Sequence, residues 1–489
     1  MSYSLRQIAP ESKFCHNLHL DIFDQIIPIS VMSEVLSRCD AWERRERDLN
    51  MVAVISVIIA MGLLPSLSIP HVLQKMAQGL RYVWPDPDIT LPGASALSYR
   101  REQLGAEPLR QLFQQVCQPC ATPQTPGAFR FGLRLMAIDG TLENVPDTFV
   151  NDLTFGRPSS QHGAGSWPQV RGVYLQECGT HLIVDATFGG YCRSEKHLAF
   201  ALLCKIRPGM LVLLDRGLSH TRLLQAIRTL GAHVLARLDS RVVPTYVRQL
   251  CDGSYLAYLC TQDTPSKQQS RPLLVRIIEY TIDDPNRVGH QEVHRLVTTL
   301  LNPRTIAADL LIQTYHERWE IELSIDEIDT HQRLLQRTLR SQTPDGILQE
   351  LYGILLGYYA VRVLMAQSAA SLDLDCDRLS FTHAITVVTN ALSEVQQTCQ
   401  EQHPALMERL LADIRTPLLP ERRLRCNPRV VKSRCSKFPA RRPEHRLVPK
   451  LDKSFSDVIV LLLQSHRYRH PLPLQRFPKI ALLIDSVGE

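Results

Sequence analysis

The chain lacks the features that would place it in or across a membrane. Its longest apolar run, Met51 to Leu64, is shorter than a bilayer-spanning helix and is ended by Pro65. The first segment, Met1 to Phe23, is polar and carries both acidic and basic side chains, unlike a secretory signal peptide. We therefore expect a cytoplasmic protein with no membrane partner.

The sequence also lacks a regular pattern of cysteines and is poor in aromatic residues. The 13 cysteines are scattered, and Cys117 and Cys120 form a lone CxxC pair with no second pair at zinc spacing. Free thiols in a reducing compartment are the natural interpretation. Aromatic residues make up only 6%. This scarcity argues against a glycosidase, whose paired carboxylates would need aromatic-rich sugar subsites.

The positive charge is modest in total but concentrated in one segment. The formal net charge is +6, which is weak evidence of a nucleic-acid partner. Between Glu421 and Lys453, however, the chain is dense in arginine and lysine and contains prolines and few large apolar residues. This segment predicts an extended basic arm that contacts DNA phosphates, with Arg429, Lys432 and Arg434 among its candidates. A merely solubilising tail is the alternative.

The pattern of apolar residues divides the chain into four predicted parts. The predicted parts are a helical N-terminal domain with arginines that could read a DNA groove (1–128), an α/β core (129–239 and 302–370), an inserted β-rich subdomain (240–301) and a helical and basic C-terminal region (371–489). The fold class is therefore α/β multidomain.

Two aspartates follow apolar strands of the predicted core. Asp139 comes directly after Leu133–Ile138, and Asp215 directly after Met210–Leu214. Each acid begins a predicted turn, at Asp139-Gly140 and Asp215-Arg-Gly217. Because ligands of open α/β sheets bind outside strand ends, we expect the two carboxylates to face one site if their strands are neighbours. Clustered carboxylates select Mg²⁺ or Mn²⁺, and two such ions catalyse phosphoryl transfer.

A third acid would come from the long helix predicted from Thr305 to about Arg340. That helix carries many acidic residues, and side-chain chemistry alone does not choose among them. The decisive feature is the spacing in Tyr315-His-Glu-Arg318-Trp-Glu-Ile-Glu322. This spacing resembles the signature of the insertion sequence 4 family of bacterial transposases, which are of the DDE type.

The surrounding motifs carry the same resemblance. The segments Ala137–Thr141 and Leu213–Gly217 are similar to the family's two aspartate motifs, and Val297–Leu301 followed by Pro303 is similar to the strand and loop that lead to its glutamate helix. The family pattern usually has a lysine seven residues after the glutamate. Here that position is Asp329, so that phosphate contact does not carry over.

The resemblance implies an RNase H-like core whose metal-binding catalytic triad is Asp139, Asp215 and Glu322. It also implies that Tyr315 and Arg318 contact phosphate. The spacing of Tyr315, Arg318 and Glu322 puts them on one face of a continuous helix. Arg333, four residues beyond Asp329, could replace the missing lysine.

The activity implied by the resemblance is metal-dependent cut-and-paste transposition. Water would attack the phosphodiester at an element end, and the freed 3′-OH would join target DNA, with a hairpin as the typical intermediate. The implied partners are the terminal inverted repeats, the target DNA and a second copy of the chain bound to DNA, in association with the prokaryotic nucleoid. The alternatives are a nuclease on the same core, or a weakened or domesticated DNA-binding derivative, which Asp329 mildly favours.

Overall fold

The computed structural model describes most of the chain and divides it into two compact units. The described residues are 3–9, 11–45, 48–86, 88–161, 163–260, 272–285, 290–334, 338–420 and 453–462. The first unit comprises Met1–Phe129, Met136–Lys205 and Glu320–Glu421, and the second comprises Arg130–Leu135, Ile206–Trp319 and Arg422–Glu489. The basic segment predicted to bind DNA falls almost wholly outside the described residues.

The N-terminal part is helical, as predicted. Its helices are α1 (Ile29–Arg38), α2 (Met51–Leu63), α3 (Ile69–Val83), α4 (Ala94–Leu104) and α5 (Glu107–Val116). All residues of α2 are buried, which explains its uninterrupted apolar sequence. Asn50 begins this helix by accepting a hydrogen bond from Ala53 N at 2.8 Å.

The first unit contains three long antiparallel strands and several short elements. These are β1 (Phe129–Arg130, across the unit boundary), β2 (Leu133–Asn144, which begins in the second unit), α6 (Phe149–Phe155), β3 (Ser159–Ser160), β4 (Gly163–Ala164), β5 (Gln169–Glu177), β6 (Leu182–Gly190) and α7 (Glu195–Ala199). Strand β5 pairs antiparallel with β2 on one side and with β6 on the other. The β5–β6 pair forms a hairpin at Cys178-Gly179, as the turn signal between two strand-like runs predicts.

The second unit is built on a mixed sheet. Its elements are β7 (Met210–Leu214), α8 (Thr221–Thr229), β8 (His233–Arg237), β9 (Thr245–Gln249), β10 (Tyr255–Leu259), β11 (Leu273–Ile282), β12 (His294–Thr298), α9 (Ala308–His316) and β13 (Ile459–Leu461). Strands β7 and β8 are parallel, and β12 pairs antiparallel with both β8 and β11. Strands β9 and β10 extend the sheet beyond β11, and β13 also pairs with it.

The strands expected in the inserted segment are present, but they do not form a separate compact unit. Backbone hydrogen bonds join β12 to β8 with Leu296 opposite Arg237, so the segment extends the sheet that contains β7 and β8. Alternating apolar and polar residues predict strands but do not indicate which edge they will pair with. The described residues therefore confirm the β-rich content and leave the subdomain unconfirmed.

The prediction of a single long helix from Thr305 to about Arg340 is wrong. After α9, the residues Glu317 and Arg318 form a turn, in which Glu317 N bonds Thr314 O and Arg318 N bonds Tyr315 O. These i to i−3 bonds tighten the backbone. Helix α10 follows (Trp319–Asp326) and widens into a π-helical segment (Glu327–Gln332). Leu334 then has a φ of 53°, which a right-handed helix cannot continue.

Three further helices complete the first unit: α11 (Pro344–Ala370), α12 (Phe381–Gln397) and α13 (His403–Ile414). Helix α11 is long and apolar enough to cross a membrane by composition, but 89% of its most apolar window is buried within the protein. It packs closely on α2, since a Cβ added at Gly353 would collide with Ile58 O. Among the described segments α11 is therefore a core helix, and glycine allows its close approach to α2.

Candidate active site

Asp139 lies within β2 in the first unit and not at its end. The strand continues to Asn144 because β5 pairs with it along its length, from Met136 opposite Glu177 to Asn144 opposite Gln169. The side chain of Asp139 is half-buried, and its Oδ1 accepts a hydrogen bond from Gly140 N at 2.8 Å. The strand is therefore longer than the predicted run Leu133–Ile138, because Gly140 continues the strand and does not begin a turn.

Glu195 lies beside this aspartate and was missed by sequence reasoning. A Cβ added at Gly140 would lie 2.9 Å from Cγ of Glu195, so the carboxylate approaches the backbone next to Asp139. Arg171 binds the same carboxylate through Nη1, 2.5 Å from Oε1. The side chain of Glu195 is 34% exposed. In the sequence, its one signal is its position at the start of Glu195–Ile206, a segment that predicts a helix.

Glu322 lies on α10 in the first unit and is half-buried. Its neighbour Glu320 is buried and contacts the ring of His181, with 2.6 Å between Oε2 and Nε2. Further along the same segment, Glu327 bonds Arg362 of α11. The glutamate helix is therefore anchored by ionic contacts on both sides of Glu322.

A second group of charges ties this helical segment to the strand that carries Asp139. Arg333 bonds Glu143, four residues after Asp139 on β2, and its Nη1 lies 3.5 Å from Oδ1 of Asp329. Burial and the neighbouring carboxylate of Glu143 raise the pKa of Asp329 to about 8. Arg333 is only 6% exposed, so here it is the buried counter-ion of Glu143 and lies next to Asp329. Its contact with DNA stays a prediction.

In the second unit, Asp215 follows β7 directly, as expected. Its Oδ1 accepts a hydrogen bond from Leu218 N at 2.8 Å, and its backbone oxygen accepts one from Ser219 N. The carboxylate therefore stabilises the turn that it begins. A Cβ added at Gly217 would lie 3.2 Å from its Oδ2, so glycine leaves room for the acid.

Tyr315 and Arg318 lie close to this aspartate. The Tyr315 hydroxyl donates to Leu214 O at 3.2 Å, and the Arg318 guanidinium carbon lies 5.9 Å from the centre of the tyrosine ring. Burial, and to a lesser extent the charge of Asp215, raise the pKa of Tyr315 to about 12. The second unit thus brings three of the predicted residues together.

The predicted site residues are distributed between the two units. The first contains Asp139, Glu322 and Arg333, the second contains Asp215, Tyr315 and Arg318, and the remaining three, Arg429, Lys432 and Arg434, lie outside the described residues. The donor set of the triad is three carboxylates, which suits hard divalent cations such as Mg²⁺ and Mn²⁺. Its assignment as a metal site stays a prediction.

Comparison with known proteins identifies the family. Residues 17–114 match the family described as insertion element 4 transposase N-terminal, and residues 130–359 match the transposase DDE domain. The transposase InsG for insertion sequence element IS4 of Escherichia coli (strain K12) is 31% identical over 419 residues, or 83% of this chain and 91% of that protein. The chain belongs to the insertion sequence 4 family of DDE transposases.

Membership confirms the family resemblance of the motifs and establishes the class of reaction. The protein is a transposase of an insertion sequence, an enzyme that cleaves and transfers DNA, and its DDE domain implies dependence on a divalent metal and an RNase H-like fold. The mixed sheet and the helical N-terminal part agree with this fold. A piggyBac transposase synaptic complex with hairpin DNA also aligns, with a TM-score of 0.39 and 10% identity over 84% of this chain and 87% of that one.

Proposed function

We propose that Asp139, Asp215 and Glu322 together hold two Mg²⁺ or Mn²⁺ ions and catalyse cut-and-paste transposition of an insertion sequence. The observation that carries this proposal is the ionic tie between Glu143 and Arg333. It joins the strand of Asp139 to the segment of Glu322 within one unit. Asp139 and Glu322 therefore belong to elements that are fixed to each other, as a shared metal site requires.

The residues beside Asp215 suit phosphate binding. When bound, divalent ions activate water as a nucleophile and stabilise the charge of the transferring phosphoryl group. Tyr315 keeps its proton at neutral pH, because its pKa is raised to about 12, and its hydroxyl can donate to a phosphate oxygen when it leaves Leu214 O. The planar guanidinium of Arg318 supplies paired donors for the same group. The 3′-OH released by cleavage then attacks target DNA.

The DNA partners follow from this chemistry. Terminal inverted repeats and target DNA must meet in one complex, which requires two copies of the chain on DNA. We assign the predicted basic arm, with Arg429, Lys432 and Arg434, to the phosphate backbone. Either the N-terminal helices or this arm reads the element ends, and the RNase H-like core carries the inserted β-rich subdomain. Arg333 reaches phosphate only if it leaves Glu143. Nucleoid association follows from DNA binding.

Excision of a marked DNA segment bounded by the element's own ends tests the proposal. Wild type, Asp139→Ala, Asp215→Ala and Glu322→Gln would be compared with Mg²⁺ or Mn²⁺ present, and Asp326→Asn on an exposed position of α10 serves as the control. We expect excision by wild type and control and none by the triad variants. Excision by any triad variant at the wild-type level would refute the assignment of that residue.

One feature favours a second outcome, a catalytically weakened copy. Asp329 replaces the lysine expected from the family pattern and lies in a pair with Arg333. If wild type binds the element ends but leaves them uncut, the copy is weakened, and Asp329→Lys should then restore cutting. Cleavage without joined product would instead identify a nuclease.

A further inference from the structure

A buried group of charged side chains surrounds the turn between β5 and β6 in the first unit. We name it the His181 cluster, and its members are His181, Glu320, Glu327, Arg362 and Asp377. The ring of His181 has no solvent exposure. Its Nε2 lies 2.6 Å from Oε2 of Glu320 and 3.1 Å from Oδ1 of Asp377. Its Nδ1 lies 2.8 Å from Nη2 of Arg362.

The backbone at this position is in the left-handed region. His181 has a φ of 60°, in the left-handed region that glycine favours and that strains residues with a Cβ. Strain of this kind persists only where surrounding contacts determine the conformation. The turn itself does not require an imidazole. The side-chain contacts of His181 therefore account for a histidine in this strained conformation.

The cluster has a composition that could bind a metal, but its hydrogen bonds oppose this. Burial and Arg362 lower the pKa of His181, whereas bonds with Asp377, Glu320 and Glu327 raise it to about 10. A guanidinium only donates, so its 2.8 Å contact favours a neutral ring that accepts at Nδ1 and carries its proton on Nε2. A protonated ring also has hydrogen on Nε2. In either state the nitrogen that faces the carboxylates cannot ligate a metal.

The cluster instead holds the helix that carries the proposed catalytic glutamate. Glu320 precedes Glu322 by two residues and Glu327 follows it by five. Arg362 bonds Glu327, and Tyr358 donates to the same carboxylate at 2.8 Å. Because His181 holds Glu320 and residues of α11 hold Glu327, the segment is fixed on both sides of Glu322.

We propose that His181 is a positioning residue for catalysis, which acts through Glu320 to hold the carboxylate of Glu322 at its metal. This inference rests on the proposed metal role of Glu322. Residues that orient metal ligands typically change metal affinity or activity by about 10–100-fold when they are replaced. Replacing His181 is therefore predicted to weaken the affinity for the metal and to leave the affinity for DNA unchanged.

The test measures cleavage of a duplex that carries the element's own end, by the full chain, across a series of Mn²⁺ concentrations. His181→Ala should raise the Mn²⁺ concentration for half-maximal cleavage about 10–100-fold while the Kd for the duplex stays at the wild-type value. His181→Asn should recover part of this shift, because asparagine tolerates a positive φ and offers one acceptor and two donors.

The control is His19→Ala, which removes another buried histidine that bonds a carboxylate, with 2.8 Å from its Nε2 to Oδ1 of Asp21. It should leave the Mn²⁺ dependence unchanged. If His181→Ala does not fold by circular dichroism, Glu320→Gln replaces it, and the same shift is expected. A wild-type Mn²⁺ dependence in the folded variant, or an equal shift in His19→Ala, would overturn the inference.

Glu322→Gln, assayed in parallel, separates this inference from the proposed function. If Glu322→Gln cleaves like wild type, the metal role of Glu322 is wrong and the positioning role is lost with it. If Glu322→Gln is inactive and His181→Ala behaves like wild type, only the positioning role fails.

Discussion

Replacing Arg333 should destabilise the first unit strongly, because it would leave the buried carboxylate of Glu143 without its counter-ion and next to the half-buried Asp329. Arg333 is 6% exposed and its partner Glu143 is 5% exposed, and Asp329 lies on the other side of the guanidinium. Removing one partner of a buried ion pair costs about 3–5 kcal/mol, whereas an exposed pair contributes only about 0–1 kcal/mol. We therefore expect Arg333→Met to lower the free energy of unfolding at pH 7 by about 3–5 kcal/mol.

Urea unfolding followed by tryptophan fluorescence measures this loss. Arg110→Met, which removes a partly exposed pair with Glu107, is the control and should change the free energy of unfolding by no more than about 1 kcal/mol. The double variant Arg333→Met/Glu143→Leu should recover most of the loss, since a buried pair replaced by apolar side chains is often neutral. A loss of less than 1 kcal/mol in Arg333→Met alone would refute the reasoning.

Three further perturbations have defined outcomes. Asp329 has a raised pKa of about 8, so the folded state retains the proton of this carboxyl as pH rises while the unfolded state loses it. The free energy of unfolding should therefore fall from about pH 4 to about pH 8. Asp329→Asn should flatten that fall in urea titrations. Tyr315→Phe removes the bond to Leu214 and should cost about 0.5–1.5 kcal/mol in the same assay, with no loss arguing against that bond. Replacing the tail residues Arg429, Lys432 and Arg434 together should reduce the slope of log Kd for DNA against log salt by about 2–3. An unchanged slope would exclude these three residues from the interface.

Most elements of the core were predictable because the apolar runs and the turn signals in their sequences indicate the same structure. Met210–Leu214 is a short apolar run between Pro-Gly and an acid, and it forms a buried strand. The hairpin at Cys178-Gly179 likewise combines a turn signal with flanking strand-like runs. Asp139 shows the limit of such patterns. The Gly140 that suggested a turn instead makes room within a strand for Glu195, and this depends on a residue more than fifty positions away.

The contacts around the glutamate helix could not be predicted from sequence. Periodicity continues through Glu317 and Arg318, yet the backbone tightens into a turn there. The His181 cluster draws its members from a hairpin turn, from both sides of Glu322 and from α11, so no local spacing connects them. The family signature locates Tyr315, Arg318 and Glu322 along the chain, whereas the residues that hold them follow from the tertiary fold.

A switch of metal specificity tests the proposed triad most directly. Thiolate is a softer ligand than carboxylate and is poorly matched to Mg²⁺, which prefers oxygen, and Mn²⁺ tolerates sulfur better. Asp139→Cys, Asp215→Cys and Glu322→Cys would be assayed for cleavage and for joining of the 3′ end to target DNA, with Asp326→Cys as the control. We predict that each triad variant is inactive with Mg²⁺ and regains activity with Mn²⁺, while the control is active with both. Wild-type activity of a triad variant with Mg²⁺ would contradict the metal role of that residue.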